Sequence, residues 1–396
     1  MNYPKIILHK GKERSLQLFH PWVFSGAIKS QPAGLTEGDI VETWSNDDKY
    51  LGTGHFHKGT ITVRILTFEN EIIDTQFWQK KIQKAFECRK ALGFLNGTNT
   101  NVYRLLHGEG DNLPGLIIDI YHDTAVIQAH TIGMSKHRLE IAAALREIYQ
   151  DSLKAIYDKS ADSLQKQNLP GLKNEYIYNE KPNTIESEVK ENDYIFSIDY
   201  INGQKTGFFI DQRENRKLLS QYSKNKNVLN TFCYTGGFSV YALAAGASLV
   251  HSVDSSKKAI SDTEKNVLLN FRNAPHECFS IDVFDFFKKN EKTYDVIILD
   301  PPAFAKHISA VKNAMVGYRN LNLEAFKKID KGGILFTFSC SQAIDKELFR
   351  KVVFQAAAQS KRNVRILHQL SQPSDHPINI YHPEGEYLKG LVLFVE

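Results

Sequence analysis

NTFCYTGGFSVYALAAGASLVHSVD, residues 230 to 254, runs from the end of one apolar stretch through a glycine-bearing turn into a helix-like segment, then out to a second apolar stretch that ends on an acid. Glycines at 236 and 237 let a backbone approach a ligand closely, and a helix that starts there aims its N–H groups at a negative group. Asp254 follows at roughly the 20-residue interval at which an acid accepts from ribose hydroxyls. The turn is not G-x-G-x-x-G, which argues against a dinucleotide dehydrogenase.

Outward from this stretch, strand-like and helix-like runs alternate from about residue 190 to the end, the pattern of a parallel sheet with crossover helices. NVLNTF, SLVHSVD, CFSID, DVIILD, GILFTFS and YLKGLVLFVE are the expected strands. Ligands of such sheets gather beyond the carboxyl ends of the strands. Asp254, Asp282 and Asp300 each close one in succession, behind the glycine turn. A single acid there could be a mere cap; three together point to a binding edge.

The amino-terminal part reads differently. Residues 38 to 68 break into short β-rich runs at SNDDK and HKGT, so antiparallel strands closing into a small barrel are expected. Apolar residues at helical spacing from Thr75 predict a helix leaving it. LPGLIIDIYHDTAVIQAH predicts a hairpin, and SKHRLEIAAALREIYQ a helix starting at Ser135. Residues 173 to 193 are polar, with a turn expected at Lys181 to Asn183 and a boundary near 185.

Composition is that of an ordinary soluble protein, with 42% hydrophobic and 24% charged residues and a net charge of +4. At 396 residues, two or three domains are expected. There is no leader-like segment or apolar run of membrane-spanning length, so neither secretion nor a membrane is expected. Positive charge collects at Lys5, Lys10, Lys12, Arg14 and Lys29, and again at Lys80, Lys81, Lys84, Arg89 and Lys90. Each cluster reads either as a solvated face or as a match to a phosphate backbone.

The four cysteines, Cys88, Cys233, Cys278 and Cys340, are scattered without C-x-x-C spacing, which fits a reducing cytoplasm. His55 and His57 share a strand face without a third ligand and read as surface residues, so no metal is expected. Cys340 stands out in FTFSCSQ, residues 336 to 342, immediately after an apolar run. An isolated thiol there is either core packing or a nucleophile.

These turns resemble those of class I S-adenosylmethionine-dependent methyltransferases. By that resemblance Asp254 binds the ribose, Asp282 the adenine amino group, and the turn of Tyr234, Gly236 and Gly237 lies against the methionine moiety. The generic pattern has an acid at Asn230 and a glycine at Tyr234. A narrower resemblance absorbs the departure. GQKTGFFIDQRENR (203 to 216), NTFCYTGGFSVYA, DPPAFAK, FSCSQ and EGEYLKGL together are similar to the bacterial 5-methylcytosine methyltransferases of 23S, large-subunit ribosomal RNA. It implies a PUA-type β-barrel (1–70, with HPWVFSGAI) for RNA binding, a small α/β central domain (71–187), and a Rossmann-like methyltransferase domain (188–396).

The resemblance further implies that Cys340 is the nucleophile and that Lys205, Phe209, Arg213 and Asp300 border the cofactor. Asp300 would hydrogen-bond the ring's N3 side or else cap the Pro301-Pro302 turn, Phe304 would stack on the flipped base, and Lys10, Lys12 and Arg14 would hold RNA. Read from the residues alone, Lys205, Arg213 and Arg216 could pair with a carboxylate or with phosphates and Phe208 and Phe209 could wall an aromatic ligand; the alternative is a surface helix start with ordinary salt bridges. Two other functions stay open. One is methylation of an exocyclic amino group, although Ala303 here separates the second proline from the aromatic. The other is a non-catalytic RNA-binding assembly protein. The oligomeric state, a homodimer among the options, and the target nucleotide are not legible.

Overall fold

Short β-branched runs punctuated by polar turns pair as their alternation dictates. In the computed structural model they are β1 (Lys5–Leu8), β2 (Trp22–Phe24), β3 (Ile28–Ser30), β4 (Ile40–Trp44), β5 (Tyr50–Phe56) and β6 (Ile61–Thr67), with the short α1 (Arg14–Gln17) after β1. Their sheet runs β2-β6-β5-β4-β1-β3 around a core of Ile6, Leu8, Val23, Val41, Val63 and Ile65. The structure describes residues 3–95, 97, 99–165, 171–180, 187–305 and 307–396.

α2 (Thr75–Ala91) follows, capped by Asp74, whose side chain accepts from the Phe77 N–H. Next come β7 (Val102–His107), β8 (Leu116–Tyr121), β9 (Thr124–Ala129), α3 (Ile132–Lys136), α4 (Arg138–Tyr149), β10 (Ala155–Asp158), α5 (Ser160–Leu164) and β11 (Glu175–Asn179), with a sheet in the order β11-β10-β9-β8-β7. The expected hairpin at YHDT is β8–β9. The single helix expected to start at Ser135 is two: Thr131 caps α3, and His137 separates it from α4. The expected turn at Lys181 to Asn183 and the boundary near 185 lie outside the described residues.

Two further expectations change in this part of the chain. His55 and His57 are buried rather than superficial; His55 stacks on His137 with ring centroids 5.4 Å apart. The second basic cluster is partly internal. Arg89 is fully buried, with its guanidinium bidentate on Asp111 and donating to the carbonyls of Arg104 and Asp375, while Lys81 donates to the Leu66 carbonyl at 2.6 Å.

β12 (Ser187–Glu191) and β13 (Tyr194–Ile198) lead to the last sheet. It comprises α6 (Arg213–Ser223), β14 (Asn227–Thr231), α7 (Gly237–Ala244), β15 (Leu249–Asp254), α8 (Lys257–Asn270), β16 (His276–Ser280), α9 (Val283–Lys289), β17 (Tyr294–Leu299), α10 (Val311–Lys328), β18 (Ile329–Ser339), α11 (Lys346–Ser360), β19 (Val364–Leu370) and β20 (Lys389–Val395). Strand order is β16-β15-β14-β17-β18-β20-β19, parallel except for β20, which is antiparallel to both neighbours. β19 was not among the expected strands: it is an edge strand whose residues are mostly exposed, so main-chain pairing holds it without an apolar signature.

The chain divides into two compact units. One is Met1–Asp193 with Ile198–Ile210 and Ser374–Gly385; the other is Tyr194–Ser197 with Asp211–Pro373 and Glu386–Glu396. In the first unit, Arg89 is the polar centre that anchors Ser374–Gly385 through Asp375. Replacing Arg89 by Ala would leave Asp111 buried and unpaired, a loss of about 3–5 kcal/mol. Urea unfolding followed by a first-unit tryptophan signal should move to a clearly lower midpoint; an unchanged midpoint would show that the pair contributes little.

Candidate functional site

The second unit's register aligns its strand ends. Thr231 of β14 pairs with Leu299 of β17 on one side and Val253 of β15 on the other, and Leu299 pairs with Thr337 of β18. The chain therefore leaves β14, β15, β17 and β18 at a common edge. Strand order reverses between β14 and β17, which opens a crevice there.

At the end of β14 the backbone turns through left-handed conformations at Phe232 (φ 54), Tyr234 (φ 48) and Gly236 (φ 78). A Cβ at Gly236 would lie 2.6 Å from Cγ2 of Thr263 on α8, and one at Gly237 2.9 Å from Cδ of Arg216 on α6. Gly236 is thus required by its left-handed backbone and by α8 pressed against the turn, while a side chain at 237 would displace Arg216. Thr263 Oγ1 also donates to the Tyr234 carbonyl at 2.8 Å. Cys233 is buried beside Thr263, and burial pushes its thiol well above the usual range, as packing rather than chemistry requires.

Asp254 accepts from the Tyr234 N–H at 3.1 Å through Oδ2 and from the Ser256 N–H at 2.9 Å through Oδ1, so it is held by two turns while lone pairs on both oxygens remain for a hydroxyl. Asp282 is exposed and caps α9 through Oδ1, which accepts from Phe284 and Asp285.

Asp300 follows β17 directly, and its Oδ2 accepts from Gln212 Nε2 at 3.0 Å. Gln212 is oriented by Asn215, whose Nδ2 donates to Gln212 Oε1 at 2.6 Å. Asp211 accepts from the Tyr387 hydroxyl at 2.7 Å through Oδ2, while its Oδ1 is buried without a hydrogen-bond partner among the described residues. Burial, reinforced by the Asp211 charge, pushes the Asp300 carboxyl up to about 7, against the Gln212 hydrogen bond and Arg216. Its titration is thereby moved from the usual carboxylate range toward neutrality.

Cys340 follows β18 and is half-buried. Burial first, then the charges of Asp300 and Asp211, push its thiol up to about 11, with Lys389 pulling the other way. Lys389 is buried, donates to the carbonyls of Ser341 (2.7 Å) and Tyr387 (2.6 Å), and is drawn down to about 8 by burial. Ser341 Oγ accepts from the Ala305 N–H at 3.2 Å and bonds the Tyr318 hydroxyl at 2.9 Å, joining the DPPAF turn to the SCS turn.

The remaining expected site residues are distributed as follows. Arg213 and Arg216 are buried on α6, with Arg213 Nε donating to Glu214 at 3.5 Å. Pro301 is buried and Pro302 exposed. Phe304 lies against Tyr318, centroids 4.6 Å apart, and on Gly317, so one side of its ring is already covered. Lys205 (exposed, φ 54) and Phe209 (half-buried) belong to the first unit's segment Ile198–Ile210. Lys10, Lys12 and Arg14 are exposed on the first unit. Sequence reasoning passed over Asp211, Gln212, Ser341, Tyr387 and Lys389. Their signal was present in the quoted IDQR, SCSQ and EGEYLKGL stretches, but their convergence needs the fold.

Among the described residues, no group of three His, Cys, Asp or Glu side chains is placed to hold a metal ion, and no helix is long and apolar enough to cross a membrane.

Comparison with known proteins gives a concordant picture. A family model described as S-adenosylmethionine-dependent methyltransferase matches residues 103–385, and one described as a PUA-like domain matches 6–68. The chain is 40% identical over 396 residues to Ribosomal RNA large subunit methyltransferase I of Pseudoalteromonas atlantica, covering 98% of each chain. It is 40% identical to the same-named protein of Aeromonas hydrophila, again with 98% of each covered. Among solved structures it is similar to "A putative sam-dependent methyltransferase from Streptococcus mutans" (25% identity, TM-score 0.85, 100% of both chains). A methyltransferase structure complexed with SAH matches at 25% identity and TM-score 0.86, with both chains fully covered.

The surroundings of Cys340 set its reactivity in the ligand-free protein. At pH 7 a thiol near 11 is only about one part in ten thousand thiolate, so alkylation by iodoacetamide, mapped by peptide mass spectrometry, should be slow and rise about tenfold per pH unit toward 11. Asp300→Asn removes a repelling charge and should speed it severalfold at pH 9. A rate flat between pH 7 and 10 would contradict this electrostatic picture.

Proposed function

Because the chain belongs to the S-adenosylmethionine-dependent methyltransferase family, we propose that it methylates carbon 5 of a cytosine in large-subunit ribosomal RNA through a transient bond from Cys340 to carbon 6. The family supplies the donor and the 40% identical relatives suggest the RNA. The observation that carries the cysteine chemistry is the adjacency of Asp300 and Cys340 at the ends of paired strands β17 and β18, at the same sheet edge as the glycine turn.

The residues present fit the cofactor. The turn at Gly236 and Gly237 is bare of side chains, Asp254 keeps lone pairs for ribose hydroxyls, Asp282 keeps an oxygen for an amino group, and Asp211 offers a buried oxygen without a partner. Arg213, Tyr234 and Asp300 border the same edge, and the reading adds Lys205 and Phe209 from the segment that precedes α6. S-adenosylmethionine, when bound, supplies an electrophilic methyl group on a sulfonium.

Carbon 5 of cytosine is a poor nucleophile, so the protein must first activate the ring. When the Cys340 thiolate attacks carbon 6, the electron pair of the 5,6 double bond moves toward carbon 5 and the N3 side. A carboxyl near 7 meets both needs of that step. Protonated, Asp300 donates a hydrogen bond or proton to N3, and it no longer repels the thiolate beside it. The Lys389 ammonium also favours the thiolate. After methyl transfer, the Asp300 carboxylate takes back the proton it lent to N3 and solvent takes the carbon 5 proton; the C5–H electron pair restores the double bond, the C6–S bond breaks and the thiolate leaves. Pro301 and Pro302 shape the turn under the base, and Phe304 offers it a partly covered ring. A base in folded RNA must be flipped out to reach this depth.

The reading divides the chain into a PUA-like barrel (1–70), a central α/β domain (71–187) and the methyltransferase domain (188–396), supported by the PUA-like match over residues 6–68 and by an apolar cluster within the barrel and another within residues 229–395. It places the protein in the cytoplasm with ribosomal RNA as partner; a homodimer is compatible with it. Exposed Lys10, Lys12 and Arg14 would contact phosphates.

With ribosomal RNA lacking the modification, the full chain should form 5-methylcytosine at one position, read by mass spectrometry. Cys340→Ala should abolish turnover while S-adenosylhomocysteine binds as before; retained turnover would move the reaction to an exocyclic amino group. Replacing Lys10, Lys12 and Arg14 together should weaken RNA binding and lower its salt slope by about two. Unaltered affinity and slope would move the RNA surface elsewhere.

A further inference from the structure

The first unit contains a cavity of about 300 Å³ that the methyl-transfer reading does not use. It is lined by Glu37, the β5–β6 turn from His57 to Ile61, Arg64 of β6, and His130 and Thr131 just past β9. Its volume is at the lower end of small-molecule sites, enough for one nucleotide.

The lining has polar groups in need of partners. Arg64 is half-buried, yet its guanidinium makes no hydrogen bond or ion pair among the described residues; it feels only the more distant carboxylates of Glu37 and Glu109. Lys58 also lines the cavity, is exposed, and makes no ion pair among the described residues. His57 is buried, and its Nε2 has no hydrogen-bond partner among the described residues. The turn itself is built: Glu37 Oε2 accepts from the Lys58 N–H at 2.6 Å, Thr62 Oγ1 donates to the Gly59 carbonyl at 2.9 Å, and the His57 N–H donates to the Thr62 carbonyl at 2.8 Å. Glu37 Oε1 sits 3.9 Å from His57 Nδ1. Burial lowers His57 to about 3, so its imidazole is neutral at pH 7 and can both donate and accept.

We propose that this cavity holds one unstacked nucleotide of single-stranded RNA, its phosphate on Arg64 and Lys58 and its base edge against His57 and Glu37. Two cations without an ion pair among the described residues match a phosphate, and a carboxylate with a neutral imidazole matches the donor and acceptor pattern of a base. Opening at the exposed turn Lys58–Thr60 lets the chain continue on both sides of the held unit. The proposal rests on the RNA-substrate reading and adds a second anchoring point, on a different unit from the methyl-transfer edge.

The test uses the full chain saturated with S-adenosylhomocysteine and a labelled single-stranded RNA of about ten nucleotides, by fluorescence anisotropy at about 50 and about 200 mM salt. Lys58→Gln, at an exposed position, should lower the salt slope by about 0.7, and Lys58→Gln with Arg64→Gln should weaken binding about tenfold or more. His57→Gln should change the ranking among homopolymeric RNAs without changing the slope. An unaltered urea-unfolding midpoint followed by the tryptophans, all in the first unit, certifies folding; if the Arg64 variant fails that check, the Lys58 slope and the His57 ranking decide. Variants that match wild type in slope, affinity and ranking overturn the pocket alone. Cytidine monophosphate binding that these variants lose while RNA binding is unchanged identifies a free-nucleotide site and also overturns it. A wild-type chain that binds S-adenosylhomocysteine but no RNA defeats the RNA reading together with the pocket.

Discussion

The in-register parallel pairing of β14 with β17 and of β17 with β18 is the constraint on which the second unit's chemistry depends. Parallel strands joined by crossover helices must all turn at the same end, so residues far apart in sequence are delivered to one edge. Thr231, Leu299 and Thr337 are neighbours in the ladder, which fixes where the glycine turn, Asp300 and Cys340 emerge. The ladder hydrogen bonds do the positioning; loop sequence then supplies the functional groups.

Position alone would not give Asp300 a useful protonation state. Burial disfavours its charge, the Asp211 carboxylate 89 positions earlier in the chain adds to that, and Gln212 restrains the shift by donating to it. The same two carboxylates and the same burial hold Cys340 up, so the thiol and the acid are electrostatically coupled. Release of charge at one favours charge at the other. Lys389 is fixed by two carbonyls and acts against the carboxylates. A thiol kept protonated until its neighbours change is protected from adventitious oxidation, since the thiolate is the reactive form.

The first unit adds buried polar groups to its apolar clusters. Two arginines are their hubs. Arg89 binds Asp111 and two carbonyls, and Arg104 pairs with Asp119, which also accepts from Thr206 at 2.6 Å. Such groups are stable inside only because nearly every donor is matched.

By itself the sequence determined the alternation of strands and helices, the glycine turn at 236–237, the strand-closing acids Asp254, Asp282 and Asp300, and the thiol at Cys340. These are local patterns, written in spacing and residue type. It could not show that Arg89 and Lys81 are internal, that His55 and His57 are buried, or that β19 exists, because burial and edge pairing come from distant partners. Only the tertiary structure brought Asp211, Gln212, Ser341, Tyr387 and Lys389 around Asp300 and Cys340. The shifts of those two groups are field effects of a folded, desolvated environment, and no stretch of sequence carries a field.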